Sequence, residues 1–69
     1  PSKSVAQLSA REQQVLQLTA HGFSADEIAT TLNVSRHTVL TFIRRIYTKL
    51  GVTSKTHAIN AARQKGFIQ

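Results

Sequence analysis

SADEIATTLNVSRHTV, residues 24–39, is the stretch on which the fold turns. Ser24 is followed three residues later by Glu27, the capping-box pattern in which a serine hydroxyl takes an orphan amide at a helix start and the glutamate reaches back. Ile28, Ala29 and Leu32 then give an apolar side to a short helix over about 25–31. Leu32-Asn33-Val34 reads as a turn, because asparagine tolerates a left-handed backbone better than the other non-glycine residues present. Ser35 caps a further helix that runs to Leu50 and closes at Gly51.

This longer helix sorts its residues into two opposed stripes. Val39, Ile43, Ile46 and Leu50 follow the spacing i, i+4, i+7, i+11 and share one face, with Phe42 beside them; this is the expected core side. His37, Thr41, Arg44 and Thr48 repeat that spacing on the opposite side, flanked by Leu40 and Arg45, so a polar and cationic ridge runs along the exposed edge.

Outward from this centre the same punctuation recurs. Ser9-Ala10-Arg11-Glu12 fits a second capping box, and Val15, Leu16 and Leu18 lie on one flank of a helix over about 10–20 that stops at His21-Gly22. A fourth helix, about 54–65, contains Ala58, Ile59, Ala61 and Ala62, with Thr53 or Ser54 as its cap and Gly66 at its end. The expected fold is all-α, a four-helix domain over residues 8–69, and residues 1–7 read as a frayed linker remnant of something upstream.

Size and composition narrow the function. A chain of 69 residues has room for one small core and little for a catalytic cleft. It has no cysteine, so neither a disulfide framework nor a cysteine-based zinc site holds it together. The chain contains no apolar run of membrane-spanning length, and the opening PSKSVAQLSA lacks the apolar block of a signal peptide, which leads us to expect a cytoplasmic module. The net charge is +6, yet its distribution says more than its total. All three acids, Glu12, Asp26 and Glu27, fall in the first turns of two helices, where the macrodipole favours them. From Ile28 onward there are seven Lys or Arg and no carboxylate. A polyanionic partner follows, although charge alone does not choose between nucleic acid, anionic lipid and a merely solubilising surface.

Together the segments LSAREQQVLQL, GFSADEIATTLNVSRHTV and IYTKLGVTSKTHAI resemble the LuxR-type (GerE-like) helix-turn-helix domain of bacterial transcription factors, and the resemblance runs from Leu8 to about Ile68. It implies that the second and third helices form the helix-turn-helix at the centre of a LuxR-type C-terminal effector domain. It implies also that the third, residues 36–50, lies in the major groove of double-stranded DNA and that the fourth makes a two-fold dimer contact. Two positions depart from the family's pattern. Leu40 stands where a lysine is usual, which lowers phosphate affinity or brings an apolar side chain to thymine methyls; Phe42 stands where histidine is frequent and is expected to be a core wedge between the two helices.

Base readout needs side chains that donate to guanine or meet a thymine methyl from the first turns of an exposed helix. Arg44, Thr41, His37 and Arg36 fit, with Leu40 as the apolar contact; Arg44 resembles the family's second basic recognition position, and Thr41 one of its base-contacting positions. Phosphate clamps are expected at helix N-termini and their hydroxyls: Ser35 and Thr38 for the third helix, Ser24 for the second, with Lys55 opening the fourth and Arg45 on the ridge. The expected partners are a pseudo-palindromic duplex bound by a homodimer, through the helix over 54–65, and RNA polymerase as an admissible further contact. No cofactor, metal, small molecule or membrane is expected.

Other classes fit these residues less well. Ser, His and Asp all occur, but there is no Gly-x-Ser-x-Gly elbow or Gly-rich phosphate loop, and His21, His37 and His57 lack metal-ligand spacing, so an enzyme is not expected. The region-four-like promoter-binding module of an RNA polymerase sigma factor shares the pattern around the turn, and GVTSKTHAI, the opening of the fourth helix, favours the LuxR type. A protein-interaction module that kept the fold and lost DNA binding is the reading Leu40 suggests.

Overall fold

A computed structural model of the chain describes residues 8–68. The expectation of a linker over 1–7 lies outside the described residues. Four helices follow in order: α1 (Ala10–Ala20), α2 (Ala25–Leu32), α3 (Arg36–Leu50) and α4 (Lys55–Lys65). Local chemistry sets each boundary. Ser9, Ser24, Ser35 and Ser54 are the N-caps, each hydroxyl accepting the amide hydrogen three residues on. Ser9 and Ser24 complete full capping boxes with Glu12 and Glu27, as the sequence predicts. Ser54, rather than Thr53, caps α4.

The helices also end alike. After α2, the Asn33 amide donates to Thr30 O and the Val34 amide to Ala29 O, with Asn33 at φ 59°, the left-handed stop read from the sequence. After α3, Gly51 (φ 69°) and Val52 make the same pair of bonds to Thr48 O and Tyr47 O. α2 extends one residue beyond its expected end, to Leu32, because the turn's left-handed residue is Asn33 itself.

α3 is the central element, packed against α1, α2 and α4, while α1 also packs on α2. Val15, Ile28, Val39 and Ile46 are the largest fully buried side chains, joined by Leu8, Leu16, Ala29, Ala62 and Ile68 in one cluster. Each such aliphatic contributes roughly 1.5–3 kcal/mol on burial, a large share of the net stability of so small a domain. Phe42, Ile43 and Leu50 are half-buried and pack on the cluster, so the expected inner stripe of α3 is the inner stripe observed. Phe42 is on the core side.

Two long-range polar contacts were not read from the sequence. The Lys49 ammonium, in the last turn of α3, donates to Glu12 Oε1 at 2.7 Å, and the same oxygen accepts the Ser9 amide at 2.9 Å. Glu12 therefore closes its capping box and ties α1 to α3 from a buried position. Burial pushes its carboxyl up, but the bond from Lys49, the Ser9 amide and hydroxyl, and the Lys49 charge outweigh that and hold it below the ordinary value of 4.5. The Gln13 side-chain amide donates to Phe67 O at 3.1 Å and fastens the C-terminal turn to α1.

Candidate nucleic-acid interface

With Val39 and Ile46 sealed inside, the helical period puts Leu40, Arg44, His37, Thr48, Thr41 and Arg45 on the outer half of α3. His37, Arg44, Arg45 and Thr48 are exposed and Thr41 is half-buried. Leu40 is 37% exposed; with Phe23 it is one of the two large apolar residues left at the surface among the described residues. An apolar side chain held out beside Arg44, four residues on, can meet a thymine methyl at no cost in buried polar groups.

The threonines of the ridge are partly committed. Thr41 Oγ1 donates to His37 O and Thr48 Oγ1 to Arg44 O, each at 3.1 Å. With its hydroxyl proton so committed, Thr41 has a lone pair and a methyl group left for a ligand, which suit an exocyclic amine or a thymine methyl better than guanine O6. At the start of α3 the Ser35 hydroxyl accepts the Thr38 amide at 3.1 Å and lies 2.9 Å from the Thr38 hydroxyl, so these two residues form one capping unit.

Charge separates the helix N-termini. Neither α3 nor α4 has an acid in its own first turn, and Arg36 and Lys55 are their first residues, so no carboxylate of their own opposes their macrodipoles. The α2 N-terminus differs, because Asp26 and Glu27 both stand in its first turn and the Ser24 amide donates to Glu27 Oε1 at 2.8 Å. Ser24 thus presents an anion with a hydroxyl flanked by two carboxylates, the least favourable of the expected phosphate positions. Arg36 also has a neighbour the sequence did not suggest: its Nε lies 3.1 Å from Asp26 Oδ1, across the turn of the helix-turn-helix.

α4 turns Ala58 and Ala62 fully inward and packs Ile59 on the core, leaving Thr56, His57, Asn60, Arg63 and Gln64 exposed. Its outer face is polar, so a partner meeting it finds hydrogen-bonding groups and not an apolar stripe. Among the described residues no group of three or more His, Cys, Asp or Glu is placed to hold a metal ion, and no helix is long and apolar enough to cross a membrane.

A family model described as bacterial regulatory proteins, luxR family, matches residues 6–62. That span includes the opening of α4, the feature that favours this family over a sigma-factor region. The HTH-type transcriptional regulator MalT of Cronobacter sakazakii is 46% identical over 57 residues, which cover 83% of this chain and 6% of that protein. MalT of Yersinia pestis is 44% identical over the same length and shares. The chain thus spans only about 6% of these curated relatives. Among solved structures, the transcription factor GerE superposes with a TM-score of 0.86 at 31% identity, covering 90% of this chain and 92% of GerE. The response regulator ChrA of a heme-sensing two-component system gives 0.86 at 44% identity, over 99% of this chain and 32% of ChrA. VqmA of Vibrio cholera, in a complex with ligand and DNA, gives 0.82 at 31% identity, over 97% of this chain and 29% of VqmA. With the helix-turn-helix, the two-faced α3 and the family match all in one register, the chain belongs to the LuxR family of bacterial regulatory proteins.

Proposed function

We propose that this LuxR-type DNA-binding domain reads duplex DNA with α3 in the major groove. Arg44 and Leu40 address base edges, Thr41 offers its methyl and lone pairs, and His37 and Arg36 border them. The observation that carries this is the division of α3: Val39 and Ile46 are fully buried on one side, while Arg44, Arg45, His37 and Leu40 stand exposed together on the other. A helix with such a face, whose own first turn holds no acid, supplies both the fit to a groove and the charge to approach it. Phosphates are held by the N-termini of α3 and α4 through Ser35, Thr38 and Lys55, with Arg45 beside them, and Ser24 contributes least.

One recognition helix covers only a few base pairs, so two copies on a pseudo-palindrome are the natural arrangement. The outer face of α4 supports a contact that is small and polar, which favours a dimer assembled on DNA over one formed in free solution. The domain works as the DNA-reading part of a bacterial transcriptional regulator in the cytoplasm, without catalysis of its own, and RNA polymerase is a further partner.

Titration of a duplex selected from a random pool, repeated over a range of salt, tests this. Each neutralised phosphate releases a condensed counterion with a slope of about −0.9. Contacts to roughly 3–4 phosphates per copy therefore give a log–log slope near −3 per monomer and about twice that for the dimer. A salt-independent affinity, or saturation at one copy per pseudo-palindrome, refutes the electrostatic or the two-fold half of the reading respectively.

A further inference from the structure

We propose that Asp26 is a positioning residue for base readout: by holding Arg36 at Nε, it sets the direction in which the guanidinium leaves the recognition helix. This rests on the major-groove reading of α3. Arg36 is the first residue of α3 and Asp26 the second of α2, with Nε 3.1 Å from Oδ1. A contact at Nε occupies the inner edge of the guanidinium and leaves Nη1 and Nη2, two parallel donors, on the outer edge. That pair matches guanine O6 and N7.

The other two carboxylates of the chain are engaged within their own capping boxes, Glu27 with the Ser24 amide and Glu12 with the Ser9 amide and Lys49. Asp26 alone is left to reach across the turn. Its own backbone is fixed in α2, where its carbonyl accepts the Thr30 hydroxyl at 3.1 Å. The side chains of Arg36 and Asp26 are 62% and 77% exposed, and ion pairs so open to water contribute little to stability. What the pair changes is conformational freedom. An untethered arginine spreads over neighbouring phosphates, whereas one held at Nε begins binding with its fork already directed.

Asp26 also places a negative charge near DNA, and that effect is separable. Simple repulsion weakens every duplex by one common factor; positioning acts at one base pair. The experiment uses the domain with its selected duplex, all single base-pair substitutions of that duplex, and a mixed-sequence duplex. The proteins compared are wild type, Asp26→Ala, Arg36→Ala and the double variant. Asp26→Ala should reduce discrimination at one guanine in each half-site by roughly two- to fivefold, the most that an exposed ion pair can contribute, while mixed-sequence binding holds or strengthens. Arg36→Ala should remove discrimination at that same base pair, and the double variant should lose nothing further there. A common factor across all duplexes for Asp26→Ala, or a loss of discrimination that persists in the Arg36→Ala background, overturns the proposal. Failure of the wild type to bind any duplex overturns the major-groove reading and this one with it.

Discussion

Lys49→Met tests the polar contact that joins the end of α3 to the start of α1. The substitution keeps most of the aliphatic stem and deletes the charge, leaving Glu12 as a carboxylate with 4% of its side chain exposed and no ammonium at 2.7 Å. A hydrogen bond to a charged group contributes roughly 1.5–3 kcal/mol, and stripping one partner from a fully buried pair costs about 3–5 kcal/mol. Lys49 is 38% exposed, so the lower range applies, and about 2 kcal/mol at neutral pH is expected. For a domain of this length that corresponds to a fall in Tm of roughly 8–16 °C, read by circular dichroism. Glu12→Gln should cost less, about 1 kcal/mol, because the amide oxygen can still accept the Ser9 amide hydrogen. The pH dependence supplies the sign. In the wild type the folded carboxyl lies below its ordinary 4.5, so its stabilising contribution is present above that value and is lost as pH falls through the folded pKa. Once Glu12 is protonated its charge attraction to Lys49 is gone, so the gap between Lys49→Met and wild type should narrow as the medium is acidified below about pH 4.5. Melts that agree within about 0.5 kcal/mol at neutral pH, or a gap that widens on acidification, would refute the assignment.

The two faces of α3 should fail differently. Phe42→Ala should cost about 2–4 kcal/mol, somewhat under the figure for a fully buried aromatic because Phe42 is half-buried, and should lower operator affinity only through unfolding. Arg44→Ala should leave the melt within about 0.5 kcal/mol and weaken operator binding by roughly 1–3 kcal/mol; a well-folded Phe42→Ala protein that fails to bind would move Phe42 to the DNA side. Asn33→Ala should destabilise by about 1 kcal/mol, since alanine is strained at φ 59°, whereas Asn33→Gly should be close to neutral in thermal melts.

The fold was legible because its punctuation is local. Every helix start is a serine whose partner lies three residues on, and three of the four ends are glycines, so a short window around Ser35 or Gly51 holds all the chemistry that fixes that boundary. The inner stripe of α3 was legible for a related reason: Val39, Ile43, Ile46 and Leu50 keep the helical period, and a period needs no knowledge of the partner helix. Lys49 was different. Its partner Glu12 lies 37 residues away, and nothing near either residue says that the end of α3 passes the start of α1. Arg36 and Asp26 are closer in sequence, but their meeting depends on the angle set by the Leu32-Asn33-Val34 turn, which neither helix's own period reports. The same dependence holds for α4: Ala58 and Ala62 are the positions where it packs into the core, and small side chains there permit a close approach.

The distribution of the three acids connects these observations to binding. In a chain of net charge +6, each carboxylate is held against a backbone amide or a cation: Glu12 by Ser9 and Lys49, Glu27 by Ser24, Asp26 by Arg36. Glu27 is held in the α2 capping box, Asp26 reaches across the turn to Arg36 at the start of α3, and α4 has no acid in its first turn. Screening confines the field of each charge to about 8–10 Å at physiological salt, shorter than the 34 Å long axis of the domain. The placement of a carboxylate along the domain should therefore affect DNA binding separately from the net charge. Arg36→Gln with His37→Glu lowers the net charge from +6 to about +4 at the start of α3, and Thr30→Glu with Arg63→Gln lowers it by the same amount on α2 and α4, so the two pairs differ in where the charge is placed. The first pair should weaken mixed-sequence binding much more than the second, and equal losses would show that total charge alone sets affinity.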